Sequence, residues 1–474
     1  MPVTLFSFFR QKKIKIPALL RDFNQVFEKN GFRAYLVGGA VRDIFLDKKA
    51  SDWDIATNAT PQDVMRIFDF VVPTGIEHGT VTVHFKKHEI EVTTFRTESG
   101  YSDGRHPDSV NYAATIEEDL SRRDFTMNAI AVNLENAAVV DPYRGRKDIR
   151  HKLIRTVGNA RERFLEDGLR PVRAIRFASQ LGFRIEDKTY RELFTDDVQK
   201  KVAGISLERF RDELLKLLKS EKPSSGLKLM EESGILDIFI PEFKACRGCI
   251  QNDDRGYHIF DVMDHNLYAC DGAPAEKPLV RLAALFHDIG KASVRTERHE
   301  NGMTIYNFYN HELESEKIAR KIMTRLKFSN AQTDKVCHLI KNHMFHYTPD
   351  WTDSAVRRFL VKVASENVED LIDLRLADMY GKYNMPVRIH DSESCRLLLE
   401  LTERIKKIEM QKQALSLKDL AVNGKDLIAM GIPAGKKIGL ILNELFEAVL
   451  EDPSMNQKEK LLELAKNSSA QAIS

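Results

Sequence analysis

Cysteine and tryptophan are scarce in this chain, with five and two copies among 474 residues. An odd number of cysteines without framework spacing excludes a complete disulfide scaffold and suits a reducing cytosol. Cys246-Arg-Gly-Cys249 is a lone pair of thiols, with no second pair to complete a zinc site. A dominant charge is also missing. Lys and Arg number 72 against 70 Asp and Glu, a net charge of +2, so no global field marks a nucleic-acid binder, although a local basic groove stays open. No apolar run reaches the roughly 18 residues of a membrane span. Thr4–Phe9 is shorter than a signal-peptide core and lacks a small-residue cleavage site, so the expected location is cytoplasmic. Internal repeats and low-complexity tracts are absent.

What is present is an ordinary soluble balance of 43% hydrophobic and 30% charged residues. The length suggests about three domains. Residues 17–30 read as a helix, opened by Pro17 and followed by Gly31. From 33 to about 133, short strand-like runs ("AYLVGG", "DWDIAT", "TVTVHF", "EIEVTTFR", "NAIAVNL") alternate with turn signals and with helical stretches near 41–47 and 61–68. "TESGYSDGRHPDSVNY" is polar and reads as a mobile loop. After Asp141-Pro142 the pattern is helical almost to the end, with a linker-like "IQNDDRGY" at 250–257.

Gly38-Gly39 and Asp52-x-Asp54 lie about a dozen residues apart. Residues i and i+2 of a strand share a face, which sets Asp52 and Asp54 side by side with Cα atoms roughly 6.6 Å apart. Adjacent carboxylates repel unless a cation sits between them, and Mg²⁺ favours carboxylate plus phosphate oxygens. The two glycines end a strand and open a helix, where backbone N–H groups can approach a triphosphate. The order of these elements outweighs the plain alternative of a turn and a solvated edge strand. Glu91 offers a third carboxylate, and spacing alone reads it equally well as an outward strand residue.

"LVGGAVRD…SDWDIAT", "HGTVTV", "EVTTFRTESGYSDGRHPD", "DLSRRDFTMNAIAVN", "DPYRGRKDI" and "EDGLRPVRAIRFASQLGF" together resemble the successive motifs of the bacterial class II tRNA nucleotidyltransferases. These are the CCA-adding enzymes and their poly(A) polymerase relatives. The resemblance implies an α+β protein with a small N-terminal mixed α/β, polymerase β-like catalytic domain at 1–150. All-helical modules follow: a neck and body at 151–250, an HD domain at 251–400 and a tRNA-contacting tail at 401–474. It implies Mg²⁺ on Asp52 and Asp54 with Glu91 catalytic, and nucleotide contacts from Gly38, Gly39, Arg42 and Asp43. Arg123 is implied to face the triphosphate and Asp124 the ribose. The implied partners are CTP, ATP and the acceptor arm of tRNA, for a monomer or a homodimer.

Base choice can be argued from Asp167 and Arg170, three apart and expected on one helical face. A carboxylate only accepts and a guanidinium only donates. Cytosine and adenine both present an amine beside a bare ring nitrogen. The pair matches both bases and mismatches guanine and uracil. A surface ion pair is the plain alternative, and the resemblance favours base reading, with Arg173 and Arg176 extending the nucleotide contacts. Full CCA addition is favoured because the loop at 97–111 is present, although His106 stands where relatives frequently have arginine. Addition of A alone, or poly(A) synthesis, remains open. A protein uridylyltransferase is disfavoured by the helical tail and by the Asp167/Arg170 order.

His265, His287-Asp288 in "LAALFHDIGKA" and Asp378 in "RLADMY" resemble an HD phosphohydrolase site, with His311 and His343 between them. Imidazoles and carboxylates together bind a divalent transition metal or Mg²⁺ and lower the pKa of bound water. Some relatives keep this fold with weak or no hydrolysis. His258, His299 and His346 read as surface or core residues. In the tail, the glycines of "NGKDLIAMGIPAGKKIGLIL" are read as close-packing positions.

Overall fold

A computed structural model describes residues 14–50, 52–99, 109–251, 258–385, 392–411 and 414–471. The chain forms two compact units, Met1–Pro241 and Glu242–Ser474. Among the described residues no helix is long and apolar enough to cross a membrane.

Among the described residues the first unit has eleven strands: β1 Ala34–Val37, β2 Trp53–Thr57, β3 Val71–Gly75, β4 Thr80–Phe85, β5 His88–Thr94, β6 Arg96–Ser99, β7 Ser109–Tyr112, β8 Ala131–Asn133, β9 Val139–Val140, β10 Leu153–Ile154 and β11 Arg184–Ile185, the last two a parallel pair that corrects the all-helical expectation for 151–250. Seven of them form one sheet in the order β3-β4-β5-β2-β1-β8-β9. Every neighbour pair in it is antiparallel except β2 and β5. β1 is buried along its whole length, as its unbroken apolar "AYLV" requires of a central strand. One face of the sheet packs Tyr35, Ala56, Phe95, Leu120 and Val157 into a core. Elsewhere in the unit Phe23 and Phe27, one turn apart on helix Ala18–Lys29, lock against Phe68 in stacked and edge-on contacts. The segment read as a mobile loop begins and ends as a ladder, with β6 and β7 paired from Arg96↔Tyr112 to Ser99↔Ser109. Residues 100–108, His106 among them, lie outside the described residues.

Helices complete this unit, among them Ala160–Glu166, Leu169–Leu181 and Leu207–Leu218. The single helix expected across Asp167 and Arg170 is broken. Asp167 caps the first of these helices in an extended conformation, and its Oδ1 accepts the N–H of Leu169 at 2.9 Å. A short acceptor side chain competes with helical hydrogen bonding at that point and ends one helix while opening the next.

The second unit is helical except for a hairpin, Thr296–Glu300 with Met303–Asn307, which corrects the all-helical expectation. Its turn is Asn301-Gly302, both at positive φ (51° and 78°), a strong local hairpin signal. Helices Val262–Gly272 and Val368–Tyr383 meet backbone to backbone. A Cβ on Gly381 would lie 2.8 Å from the carbonyl oxygen of His265. The C-terminal helices close their own core around Leu427, Leu445, Val449 and Leu461. Of the tail glycines only Gly424 serves close packing as expected, since a Cβ there would meet Ile438 at 3.3 Å. Added Cβ atoms at Gly431, Gly435 and Gly439 would meet nothing within 4 Å, while Gly431 and Gly435 turn the chain at positive φ.

Candidate active site and a second metal-ligand cluster

In the first unit, Gly38 ends β1 at φ 71° and Gly39 begins the helix Gly39–Phe45. A Cβ on Gly38 would sit 3.1 Å from Asp54 Oδ2 and 3.2 Å from Arg123 Nη1, so only glycine lets the backbone pass this close to the carboxylate. Asp52 immediately precedes β2 and Asp54 lies within it. Glu91 stands opposite Asp54 in the β2–β5 register and lines the same cavity, its side chain exposed there. Burial, Glu91 and Asp52 push the Asp54 carboxyl up to about 6, with Arg123 pulling it down. The three carboxylates line one cavity and supply the oxygen donors that a hard divalent cation favours, without all their oxygens lying within 4.8 Å of one another.

These groups line a cavity of about 620 Å³ together with Gly39, Arg42, Arg123, Asp124, Asp167, Arg170, Arg173 and Arg176. Asp43 does not join the lining; it pairs with Arg42 at 2.9 Å. Arg42 also donates to Asn128 Oδ1. The acceptor positions of Asp124 are filled by the Phe125 and Asn128 N–H groups on Oδ1 and by Arg173 Nε and Nη2 on Oδ2. Burial raises its pKa, but Arg173 and Asn128 outweigh burial and hold the carboxyl at about 2. Arg176 pairs with the buried Glu213 and covers the Phe177 ring at 3.7 Å.

Asp167 and Arg170 both reach the cavity but do not pair side chain to side chain. Asp167 Oδ2 accepts from Arg209 Nη2 at 2.8 Å. Arg170 donates to Glu166, to the carbonyl of Arg163 and to that of Arg122. Sequence reasoning missed Arg209, Asn128, Glu213 and Phe177. Advance signals existed for Asn128, close to "RRDF", and for Phe177, next to Arg176 on one helix; Arg209 and Glu213 approach through tertiary packing.

In the second unit, five helices converge on a separate cluster. His265 and Asp378 come from the two closely packed helices. His287 caps Pro278–Phe286 with Asp288 next to it, His311 opens His311–Arg325, and His343 caps Asn330–Asn342. His265 Nε2 lies 3.2 Å from Asp288 Oδ2 and 3.4 Å from Asp378 Oδ1. His311 and His343, bystanders in the spacing argument, are part of the cluster at 3.1 and 3.7 Å from Asp288 Oδ1. Burial lowers the pKa of His287, but Asp288 and Asp378 outweigh it and lift it to about 9. Burial and the charge of His287 push His343 down to about 3. Mixed nitrogen and oxygen donors, all buried, fit a borderline divalent transition metal. His258 also belongs here, since it borders the adjoining cavity and packs on the His265 ring. His299 and His346 are exposed. Cys246 and Cys249 are buried, and burial raises both thiols.

Comparison with known proteins matches this arrangement to one family. The family model described as "Poly A polymerase head domain" matches residues 34–155. A model for the second domain of tRNA nucleotidyltransferases matches 300–465. The CCA-adding enzyme of Lactobacillus johnsonii is 32% identical over 94% of this chain and 95% of its own length. The chain belongs to the CCA-adding enzyme family. The relative from Lactobacillus helveticus is 33% identical over 92% of this chain and 94% of its own. Among solved structures, the Bacillus stearothermophilus CCA-adding enzyme in complex with CTP superposes with a TM-score of 0.71 at 29% identity, covering 96% of this chain and 98% of that one. Nucleotidyltransferases of this kind use a divalent metal, in keeping with the oxygen donors of the cavity.

Proposed function

We propose that this chain builds or repairs the 3′-terminal CCA of tRNA from CTP and ATP without a template, releasing pyrophosphate. The observation that carries the reading is a single cavity lined by Asp52, Asp54 and Glu91 for metal and by Asp167 and Arg170 for base choice. The tRNA 3′-hydroxyl oxygen bonds to the α-phosphorus of the incoming nucleotide. The bond from that phosphorus to pyrophosphate breaks, and the hydroxyl proton leaves to solvent. Asp52, Asp54 and Glu91 would hold Mg²⁺, which would supply activation of the hydroxyl and charge compensation for the leaving group. Arg123, beside Asp54, faces the triphosphate, and Gly38 and Gly39 leave it room.

Asp124 is engaged by Arg173 on Oδ2 and by Phe125 and Asn128 on Oδ1, so it acts on the nucleotide chiefly by fixing the Arg173 guanidinium; a ribose hydroxyl must share one of its oxygens. Arg42 and Arg176 complete the basic wall. The division into a catalytic head at 1–150, a neck and body at 151–250, an HD-like module at 251–400 and a tail at 401–474 that holds the acceptor arm belongs to the same reading, as does a cytoplasmic location. His265, His287, Asp288 and Asp378 form an HD-type metal site in this scheme.

The test is incorporation of each labelled nucleoside triphosphate into tRNAs ending before CCA, at C and at CC. CTP followed by ATP, stopping at CCA and abolished in Asp52→Ala, supports the reading. Addition of ATP alone to the CC end would reassign the chain as an A-adding enzyme.

A further inference from the structure

We infer that Asp119, a buried carboxylate behind the cavity wall, is a positioning residue that holds Arg123 toward the triphosphate of the incoming nucleotide. The inference rests on the transfer reading for the role of Arg123 and adds a residue that does not itself line the cavity.

Asp119, Arg122 and Arg123 are spaced three and four apart, which brings both guanidiniums to the same side as the carboxylate. Asp119 lies in the helix Ile116–Ser121, and Arg122 caps its C-terminal end. A capping box closes the other end. Thr115 Oγ1 accepts the N–H of Glu118, and the Glu118 carboxylate accepts the N–H of Thr115.

The Asp119 side chain is 0% exposed, yet its oxygens are well supplied with donors. Oδ1 accepts from Arg122 Nε at 3.0 Å, from Arg122 Nη2 at 2.8 Å and from the N–H of Arg96 at 3.4 Å. Oδ2 accepts from Arg123 Nη2 at 3.3 Å. Burial raises the pKa of this group, but Arg122 and Arg123 outweigh burial and hold it below the ordinary carboxylate value.

Among the described residues, the bond to Asp119 is the one hydrogen bond that the Arg123 guanidinium makes. Arg123 Nε is buried without a partner. Nη1 is turned to the gap at Gly38, where an added Cβ would lie 3.2 Å from it and 3.1 Å from Asp54 Oδ2. A guanidinium is a rigid planar fork, so fixing one arm aims the other. Nη2 reaches back to Asp119 and Nη1 reaches forward to the place where the triphosphate enters. Asp54 is the competing anion, since the Arg123 charge already lowers its pKa. Asp119 thus keeps Arg123 from settling on a carboxylate that the metal needs.

The experiment measures binding of inorganic triphosphate with Mg²⁺ by titration calorimetry, using the full-length parent, Asp119→Asn, Arg123→Ala and the double variant. Asp119→Asn keeps the size of the side chain and removes its charge. It should weaken triphosphate binding about 10-fold, the scale of one hydrogen bond to a charged group. The double variant should bind no more weakly than Arg123→Ala alone, because Asp119 acts through Arg123. In steady-state kinetics KM should rise for CTP and ATP alike and stay unchanged for tRNA. Parent-like affinity in Asp119→Asn, or losses that add in the double variant, overturns the inference. A purely structural carboxylate would lower the melting temperature and give additive losses. If Asp119→Asn does not fold, Arg123→Lys decides, because one ammonium cannot occupy both positions of the fork. A loss of about 10-fold there supports the inference, and parent-like affinity overturns it. A parent that does not bind inorganic triphosphate also overturns it. A parent that binds triphosphate but adds no nucleotide to tRNA defeats the transfer reading alone.

Discussion

Asp54 and Glu91 are register partners across β2 and β5, the one parallel pair in a sheet of otherwise antiparallel strands. Parallel pairing needs a crossover, and here it carries the chain through β3 and β4 before β5 returns beside β2. Two carboxylates 37 residues apart thereby share one level of one cavity. The Glu91 charge helps make Asp54 costly to ionise, and a cation there relieves that cost.

Glu91→Gln removes one of three metal-facing carboxylates. CTP incorporation should fall roughly 10- to 100-fold and need more Mg²⁺ for half-maximal rate. Asp54→Ala should fall below detection with its melting temperature unchanged or higher, because a strained buried carboxylate is gone. A normal rate for Glu91→Gln at all Mg²⁺ concentrations removes Glu91 from the site.

The raised pKa of Asp54 gives a signed pH dependence. An unfolded aspartate titrates near 3.9, and in the folded chain burial and Glu91 lift it to about 6. Between these values the folded state binds more protons than the unfolded state, so this group's contribution to stability falls as pH rises through that window. Metal binding requires the ionised form. The gain in melting temperature on adding Mg²⁺ should therefore be larger at pH 7 than at pH 5. Asp54→Asn should flatten the difference, and an equal gain at both pH values in the parent contradicts it.

The parts of the molecule legible in sequence were those whose signal is local. Gly38-Gly39, Asp52 and Asp54 announce themselves within a strand, a turn and a helix start, and the helix Ala18–Lys29 follows its apolar spacing. What depended on tertiary approach was not legible. Arg209 reaches Asp167 from a helix 42 residues downstream, and His311 and His343 join His287 only because five helices converge. The hairpin at 296–307 was within reach, since Asn301-Gly302 is a strong turn signal. Its first strand, "TERHE", is exposed and polar and lacks apolar alternation, while the second, "MTIYN", is half-buried but only five residues long.

Arg209 positions Asp167, the acceptor half of the proposed base-reading pair. Arg209→Ala should free that carboxylate and raise misincorporation of UTP relative to CTP by about 10-fold, the scale of one weakened polar contact. Arg209→Lys should recover part of the selectivity. A purely structural role would lower all four nucleotides equally, so the ratio of incorporation rates is the decisive readout.

Glu213 is buried between Arg173 and Arg176 and also takes Lys216. Removing it leaves the buried Arg176 without its carboxylate. Glu213→Ala should cost about 3–5 kcal/mol in urea unfolding of the first unit. Substituting the exposed Glu447, which pairs with Arg358 on the surface, should change stability by less than about 1 kcal/mol. Similar losses at both positions would mean that Glu213 is not holding a desolvated charge.

Gly168 sits between Asp167 and the helix that carries Arg170, and it adopts ordinary helical angles, φ −61° and ψ −13°. Its need for glycine is therefore steric. A Cβ there would fall well inside contact with the carbonyl oxygen of Lys201 and 2.7 Å from its carbon, and backbone cannot swing aside as a side chain can. Gly168→Ala should push the turn away from that carbonyl, at a cost of about 1–3 kcal/mol. The displacement falls on the stretch that aims Asp167 and Arg170, so nucleotide selectivity should degrade together with stability. Gly182→Ala provides the contrast. Gly182 caps the far end of the same helix at φ 65° with nothing within 4 Å of an added Cβ. It should lose stability through backbone strain while keeping its preference for CTP and ATP. Equal selectivity in the two variants would show that the break at Asp167–Gly168 does not aim the base-reading pair.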